Sequence, residues 1–260
     1  MDFSLSDEQQ LLKDSVDKYM LERYSSEQRR GYMNAETGFS TAVWSDFAEL
    51  GWLTVPLPEA LGGYGGSVVD TSLLMEAFGR AAVVEPYLGT VLLGAQLLAG
   101  GNNATLQARY LDEILSGQCQ AAFAYLERRS RHQLTAIDSR AERQGEGFVL
   151  NGSKSLVLNG MAADVILVTA WLEDALALFA VPADSAGLSR EAFQLMDGQA
   201  VANLRFDQLT LATDSLVCEP ADSLALIQRV IDEATIAVAA QGLGAMETLL
   251  KATVEYSNTR

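Results

Sequence analysis

Two hydrophobic periods alternate along the chain and divide it into three parts. Up to about residue 115, apolar residues return every three or four positions, the spacing that places them on one face of a helix. Ser6-Asp7-Glu8-Gln9 has capping-box spacing with two acids in the first turn, where the helix dipole favours them, and Leu12, Val16, Tyr19 and Met20 follow at helical intervals. A second helix is expected to open near Ser40 or Thr41, with Val43, Trp44, Phe47 and Leu50 on one face and Gly51 as its stop. Further helical segments are predicted from Val68 to Ala82, Tyr87 to Ala99 and Thr105 to Leu115, so the first part reads as a helical bundle.

After Gly117 the pattern shortens. Gly145-Glu146-Gly147 reads as a turn, and Phe148 to Leu150, Ser155 to Leu158, Val165 to Ala170, Leu176 to Val181 and Leu204 to Leu211 are brief runs rich in β-formers. No long helix-period segment separates them, which favours a compact, mostly antiparallel sheet or barrel over a doubly wound parallel sheet. From Asp222 the helical period returns, with Leu224, Ile227, Ile231, Ala234, Val238, Ala245 and Leu249 tracing one broad apolar face. The expected organisation is α+β: an all-helical domain over 1–117, a β-domain over 118–218 and a helix over 219–260. A lone amphipathic helix of that length must pack on something. Either it docks on the earlier domains and on another subunit, or the sequence is a piece cut from a longer protein.

Composition narrows the function classes. The 260 residues are 49% hydrophobic, enough for a substantial core, and 18 basic against 34 acidic residues leave a net charge of −16. That field repels a polyanionic backbone, so nucleic acid is not expected as a partner, although a small anion needs only a few local donors. Cys119 and Cys218 form no CxxC pair and His132 is the sole histidine, so neither a disulfide scaffold nor a metal site can be drawn. Met1-Asp2-Phe3-Ser4 is acidic where a signal peptide would be basic. The longest apolar stretch, Met161 to Pro182, is interrupted by Asp164, Glu173 and Asp174, so no membrane span and a cytoplasmic location are expected.

Three strings carry more specific information. The first is Leu57-Pro58-Glu59-Ala60-Leu61-Gly62-Gly63-Tyr64-Gly65-Gly66-Ser67, glycines just ahead of a helix that could either cradle a phosphate or simply turn the chain. The second is Leu150-Asn151-Gly152-Ser153-Lys154-Ser155-Leu156-Val157-Leu158-Asn159-Gly160-Met161-Ala162-Ala163-Asp164, and the third is Gly242-Leu243-Gly244-Ala245-Met246 followed by Tyr256 and Arg260. In this order they resemble the interhelical "PE..GG.G" loop, the "L.G.K.[W/F]I.NG..AD" hairpin and the helix leading to "Y...R.QFG" of the acyl-CoA dehydrogenase family. Phe123-Ala124-Tyr125-Leu126-Glu127-Arg128 is similar to the family's "Y.VTEP" segment, and the "FAY.E..SR" pattern that begins at Phe123, Leu156 in place of an aromatic and Glu85-Pro86-Tyr87 together look like the smaller, degenerate subunit of two-component dehydrogenases.

The resemblance implies an N-terminal helical bundle, a central β-barrel and the first helix of a C-terminal bundle, with the chain truncated where the family continues. It implies an oxidoreductase that takes an acyl-CoA to the 2,3-enoyl-CoA, in fatty-acid or steroid side-chain breakdown. A carboxylate would remove the α-proton while a hydride passes to FAD. It places Tyr125, Leu126, Ser130, Leu156 and Leu158 beside the cofactor. Leu126 and Leu158 stand where the family has threonine hydroxyls and Leu156 where it has an aromatic, at about 1 kcal/mol each, so weak FAD binding by this chain alone is expected. No catalytic base is found: Ala234 occupies one position where some members carry it, and Glu233 is turned about 100° away. Arg128 and Arg131, in the basic run Arg128-Arg129-Ser130-Arg131-His132, either grip a phosphate of the CoA ester or are solvated loop charges. The expected partner is an acyl-CoA dehydrogenase subunit that supplies the missing base, in a homo- or hetero-oligomer. The other reading is a non-catalytic partner that keeps the fold for assembly or for holding CoA esters.

Overall fold

The computed structural model describes residues 4–131 and 133–259. His132, Arg260 and the Met1-Asp2-Phe3 terminus, all used above, lie outside the described residues.

Six α-helices come first: α1 Asp7–Arg23, α2 Ser26–Met33, α3 Thr41–Glu49, α4 Val68–Ala81, α5 Gln96–Gly100 and α6 Ala104–Leu115. The expected capping box at Ser6 is present, and Ser25 and Ser67 form two more, each satisfying otherwise orphaned amides. Ser40 caps α3 and Gly51 follows it in the left-handed conformation at φ 75°. Val43, Trp44 and Phe47 are buried as the periodicity requires, whereas Leu50, at the helix end, is 45% exposed. The core of this region is aromatic: Phe47 stacks on Phe78 at 5.1 Å, and Phe78 meets Tyr87 edge-on at 5.2 Å.

The segment predicted as one helix from Tyr87 to Ala99 is a π-helix over Tyr87–Ala95 that tightens into α5. Its close neighbour explains part of this: a Cβ on Gly94 would lie 2.5 Å from that of Ala121, so the helix is pressed onto the sheet. Thr90 then reaches Ala121 O at 3.0 Å and accepts from the Asn159 amide at 3.0 Å. Such wide turns recur at functional sites.

Seven strands follow: β1 Ala121–Ala124, β2 Arg140–Gln144, β3 Gly147–Leu158, β4 Val165–Leu172, β5 Ala175–Pro182, β6 Leu188–Gln194 and β7 Ala200–Leu211. One edge of β4 pairs in parallel with β1 and, further along, with β2, while β5 runs antiparallel on its other edge. The path continues antiparallel through β3, β7 and β6. The expected barrel is thus realised as a curled sheet whose β5 and β6 edges are not paired to each other. β4 and β5 are apolar on both faces for a reason: Val165, Leu167, Leu176 and Leu178 pack against the helices, while Ile166, Val168, Phe179 and Val181 fill the inside of the curl.

Two runs predicted as separate strands, Phe148 to Leu150 and Ser155 to Leu158, belong to the single strand β3, broken by register shifts at Gly152 and near Leu156. Leu156 sits at φ 57°, a conformation disfavoured for a leucine. Helix α2 was not predicted although Ser25 and Gln28 have capping-box spacing, and strands β1, β2 and β6 gave no signal: β1 is mostly alanine, and β2 and β6 are largely exposed.

The final helix, α7 Pro220–Thr259, buries Leu226, Ile227, Val230, Ala234, Ala237 and Gly244 against the rest of the chain. It crosses α4 at backbone contact, because a Cβ on Gly79 would lie 1.9 Å from Gln241 O and one on Gly244 1.9 Å from Glu76 O. The apolar face read from the sequence is therefore split. Ile227 and Ala234 are covered, but Leu224, Val238 and Leu249 are exposed, as are Leu243, Met246, Leu250 and Val254 further along.

Candidate functional site

Between the sheet and α7 lies an apolar cavity of 360 Å³. The π-helix contributes Leu88 and Leu93, β1 and the residues after it Phe123, Tyr125 and Leu126, and the bulged end of β3 Leu156 and Leu158. Ile231, Ala234, Thr235 and Val238 of α7 close the other side, with Leu195 at the rim. No carboxylate lines it among the described residues. Among the described residues that line it, Thr235 and Tyr125 carry hydroxyls, and that of Thr235 donates to Ile231 O at 2.7 Å.

Two further cavities share its walls. One of 550 Å³ meets it at Tyr125, Ile231 and Thr235 and is bordered by Gln133, Thr135 and Gln228. The other, of 320 Å³, meets it at Ala234 and extends to the glycine-rich loop at Gly66 and Ser67.

Four of the five residues expected beside the cofactor, Tyr125, Leu126, Leu156 and Leu158, come together around the main cavity. Leu156 reaches it through the left-handed turn in β3, which keeps its side chain 48% exposed. Ser130 is elsewhere: it is 2% exposed, and its hydroxyl accepts from Glu127 N at 2.8 Å and donates to Glu127 O at 2.9 Å, folding the loop upon itself. Arg128 and Arg131 are exposed on that same loop, ahead of Gln133 and Thr135 at the mouth of the 550 Å³ cavity. Glu233 faces away from the main cavity and pairs with Arg229 at 3.2 Å.

Sequence reasoning missed the group that fixes this wall. Lys154 Nζ is fully buried, 2.8 Å from Glu127 Oε1 and 3.0 Å from Thr169 Oγ1. Glu127 also accepts from Asp138 N at 2.6 Å and from the Ser139 hydroxyl at 2.7 Å. Burial drives the Lys154 amine down to about 8 against the pull of Glu127. Burial by itself would raise Glu127, but the Lys154 charge and these donors hold its carboxyl below the usual range. Beside the pair, Ser155 N donates to Leu126 O at 2.9 Å, so the Tyr125–Leu126 segment and the β3 bulge are tied together. The sequence offered little signal, since Lys154 lies in the polar run Asn151-Gly152-Ser153-Lys154-Ser155 and Glu127 opens the charged run Glu127-Arg128-Arg129.

A second buried acid, Glu85, precedes the π-helix and accepts from the Tyr24 hydroxyl at 2.6 Å and Ser40 N at 3.2 Å. Burial pushes its carboxyl upward. Among the described residues no group of three or more His, Cys, Asp or Glu is placed to hold a metal, and no helix is long and apolar enough to cross a membrane.

Residues 6–118 match the family model of the acyl-CoA dehydrogenase N-terminal domain and residues 122–209 that of the acyl-CoA dehydrogenase middle domain. A probable acyl-CoA dehydrogenase of Bacillus subtilis, YngJ, is 24% identical over 271 aligned residues that take in all of this chain and 71% of that protein. The human mitochondrial short-chain specific acyl-CoA dehydrogenase is 28% identical over 234 residues, 85% of this chain and 56% of its own length. The crystal structure of the ChsE4-ChsE5 complex from Mycobacterium tuberculosis superposes on the whole chain and 69% of its own, with a TM-score of 0.89 at 26% identity.

Proposed function

This chain belongs to the acyl-CoA dehydrogenase family, and we infer that it is a subunit for the flavin-dependent α,β-dehydrogenation of an acyl-CoA whose proton acceptor comes from outside the described residues. The observation that carries the reading is the 360 Å³ cavity, built by the family's motif segments yet lined by no carboxylate.

The residues present suit the flat apolar body of FAD: the Phe123–Tyr125 stack and Leu126 stand on one side, and Leu156 and Leu158 on another. Its polar edge would depend on main-chain groups near Tyr125 and Leu126, since leucines supply no donor. When bound, FAD accepts the hydride from the β-carbon of the substrate. The chain's own residues then position the thioester against the sheet and exclude water through the leucines, while Glu127 and Lys154 hold the wall in place. The 550 Å³ cavity beside Gln133, Thr135 and Gln228 suits the polar CoA moiety, with Arg128 and Arg131, exposed earlier on the loop that leads to Gln133, as candidate phosphate partners.

The base is expected from a partner dehydrogenase subunit or from further polypeptide packed on the exposed apolar residues of α7, such as Leu243, Leu250 and Val254. The empty acid position also favours a second reading, a partner that holds CoA esters without redox activity. One experiment tests the first: FAD-loaded protein and butyryl-CoA are incubated in deuterium oxide. The unsubstituted chain leaves the α-proton in place, and Ala234→Glu, which brings a carboxylate to the cavity, exchanges it. Exchange by the unsubstituted chain overturns the proposal.

A further inference from the structure

We propose that the 320 Å³ cavity beyond Ala234 receives the far end of the acyl group and selects for a neutral oxygen there, a hydroxyl or a ketone. The inference rests on the acyl-CoA reading above and names the substrate class for it. The two cavities have a common wall at Ala234, a methyl group, where bulkier side chains would keep them apart. On α7, Ile231, Thr235 and Val238 face the main cavity while Arg229 and Glu233 face the second. On the π-helix the same division falls between Leu93 and Leu92. An acyl chain that runs along the main cavity past Ala234 therefore enters the second one.

The chemistry changes at that point. The main cavity is almost wholly apolar, but the second holds the Gln96 carboxamide, which makes no hydrogen bond within the described residues. Its other polar groups are already engaged. The Ser67 hydroxyl donates to Asp70, Thr71 donates to Ser67 O, and Arg229 is paired with Glu233 at 3.2 Å. Arg229 also lies over the end of α5, where a Cβ on Gly100 would come within 2.5 Å of its Nη2. A carboxylate at the acyl terminus would meet Glu233 together with Arg229 and gain little from a charge that is already matched. A bare hydrocarbon terminus would cover Gln96 and leave its amide unpaired, which is costly. A hydroxyl or ketone satisfies the amide and disturbs neither ion.

The test is a calorimetric titration of the full chain with straight-chain acyl-CoAs from butyryl to palmitoyl and with their ω-hydroxy and ω-carboxy counterparts. Once the chain is long enough to pass Ala234, the ω-hydroxyl is expected to tighten binding about five- to tenfold, the worth of one satisfied hydrogen bond. Gln96→Leu should abolish that gain while butyryl-CoA affinity, which reports an intact fold, stays the same. Ala99→Phe, which fills the second cavity and does not border the main one, should weaken only the longer esters. An ω-hydroxyl without effect at every length, a gain that survives Gln96→Leu, or tighter binding of the ω-carboxylate overturns the subsite, and butyryl-CoA binding then still supports the acyl-CoA reading. If butyryl-CoA does not bind either, both fall.

Discussion

Lys154 and Glu127 meet at 2.8 Å beneath the cavity wall, joining the strand that carries Leu156 and Leu158 to the segment that carries Tyr125 and Leu126. Neither charge touches solvent appreciably, so each depends on the other. Removing one partner from a buried pair costs about 3–5 kcal/mol, whereas replacing both with apolar groups is often neutral. Glu127→Ala is therefore expected to lower the unfolding midpoint sharply, and Glu127→Leu combined with Lys154→Met to restore most of it, as read by denaturant titration.

The same pair sets an acid limit. The Glu127 carboxyl is held below its ordinary value, so its contribution is complete above the unfolded-state value of 4.5 and is lost as pH falls through the lower, folded-state value. Unfolding free energy measured across that range should fall for the unsubstituted protein. The fall should be shallower in the Glu127→Leu, Lys154→Met double variant.

Gly79 and Gly244 allow α4 and α7 to touch backbone to backbone. An added methyl has no flexible neighbour to displace, so Gly79→Ala or Gly244→Ala should destabilise by about 1–3 kcal/mol. Because α7 also closes the cavity through Ala234 and Val238, acyl-CoA affinity should fall in both variants. Unchanged stability in both would mean that the helices do not cross there.

Leu156 pays for its place in the cavity wall with backbone strain. Leu156→Asn, better suited to φ 57°, should stabilise the fold by a few tenths to about 1 kcal/mol. Apolar ligand affinity should drop at the same time, and a thermal melt paired with a binding titration separates the two effects.

Much of this architecture was legible in advance. Capping boxes, glycine stops and the change from helical to short β-rich runs located most of the helices and four of the seven strands, because each signal is local. The bulge at Leu156 and the wide turns after Tyr87 were not, since both come from contacts between distant segments, Gly94 on Ala121 among them. At the site, Tyr125, Leu126, Leu156 and Leu158 line one cavity, but Ser130 turns inward because Glu127 offers its hydroxyl both a donor and an acceptor. The Glu127–Lys154 pair was hidden because sequence spacing says nothing about two residues 27 positions apart.

Leu126 and Leu158 line the proposed flavin site with methyl groups and offer no side-chain hydrogen-bond donor. Leu126→Thr and Leu158→Thr are each expected to tighten FAD binding about fivefold, the worth of one recovered hydrogen bond. Fluorescence quenching on titration reads the change.

The central claim is that Tyr125, Leu126, Leu156 and Leu158 enclose the place where flavin and thioester meet without a resident base. Its most direct test is to titrate the protein with FAD, follow the flavin absorbance, and then add butyryl-CoA without oxygen. The account predicts saturable FAD binding that Leu126→Arg abolishes, and a flavin band that butyryl-CoA shifts without bleaching. Binding indifferent to Leu126→Arg, or full bleaching by this chain alone, would contradict it.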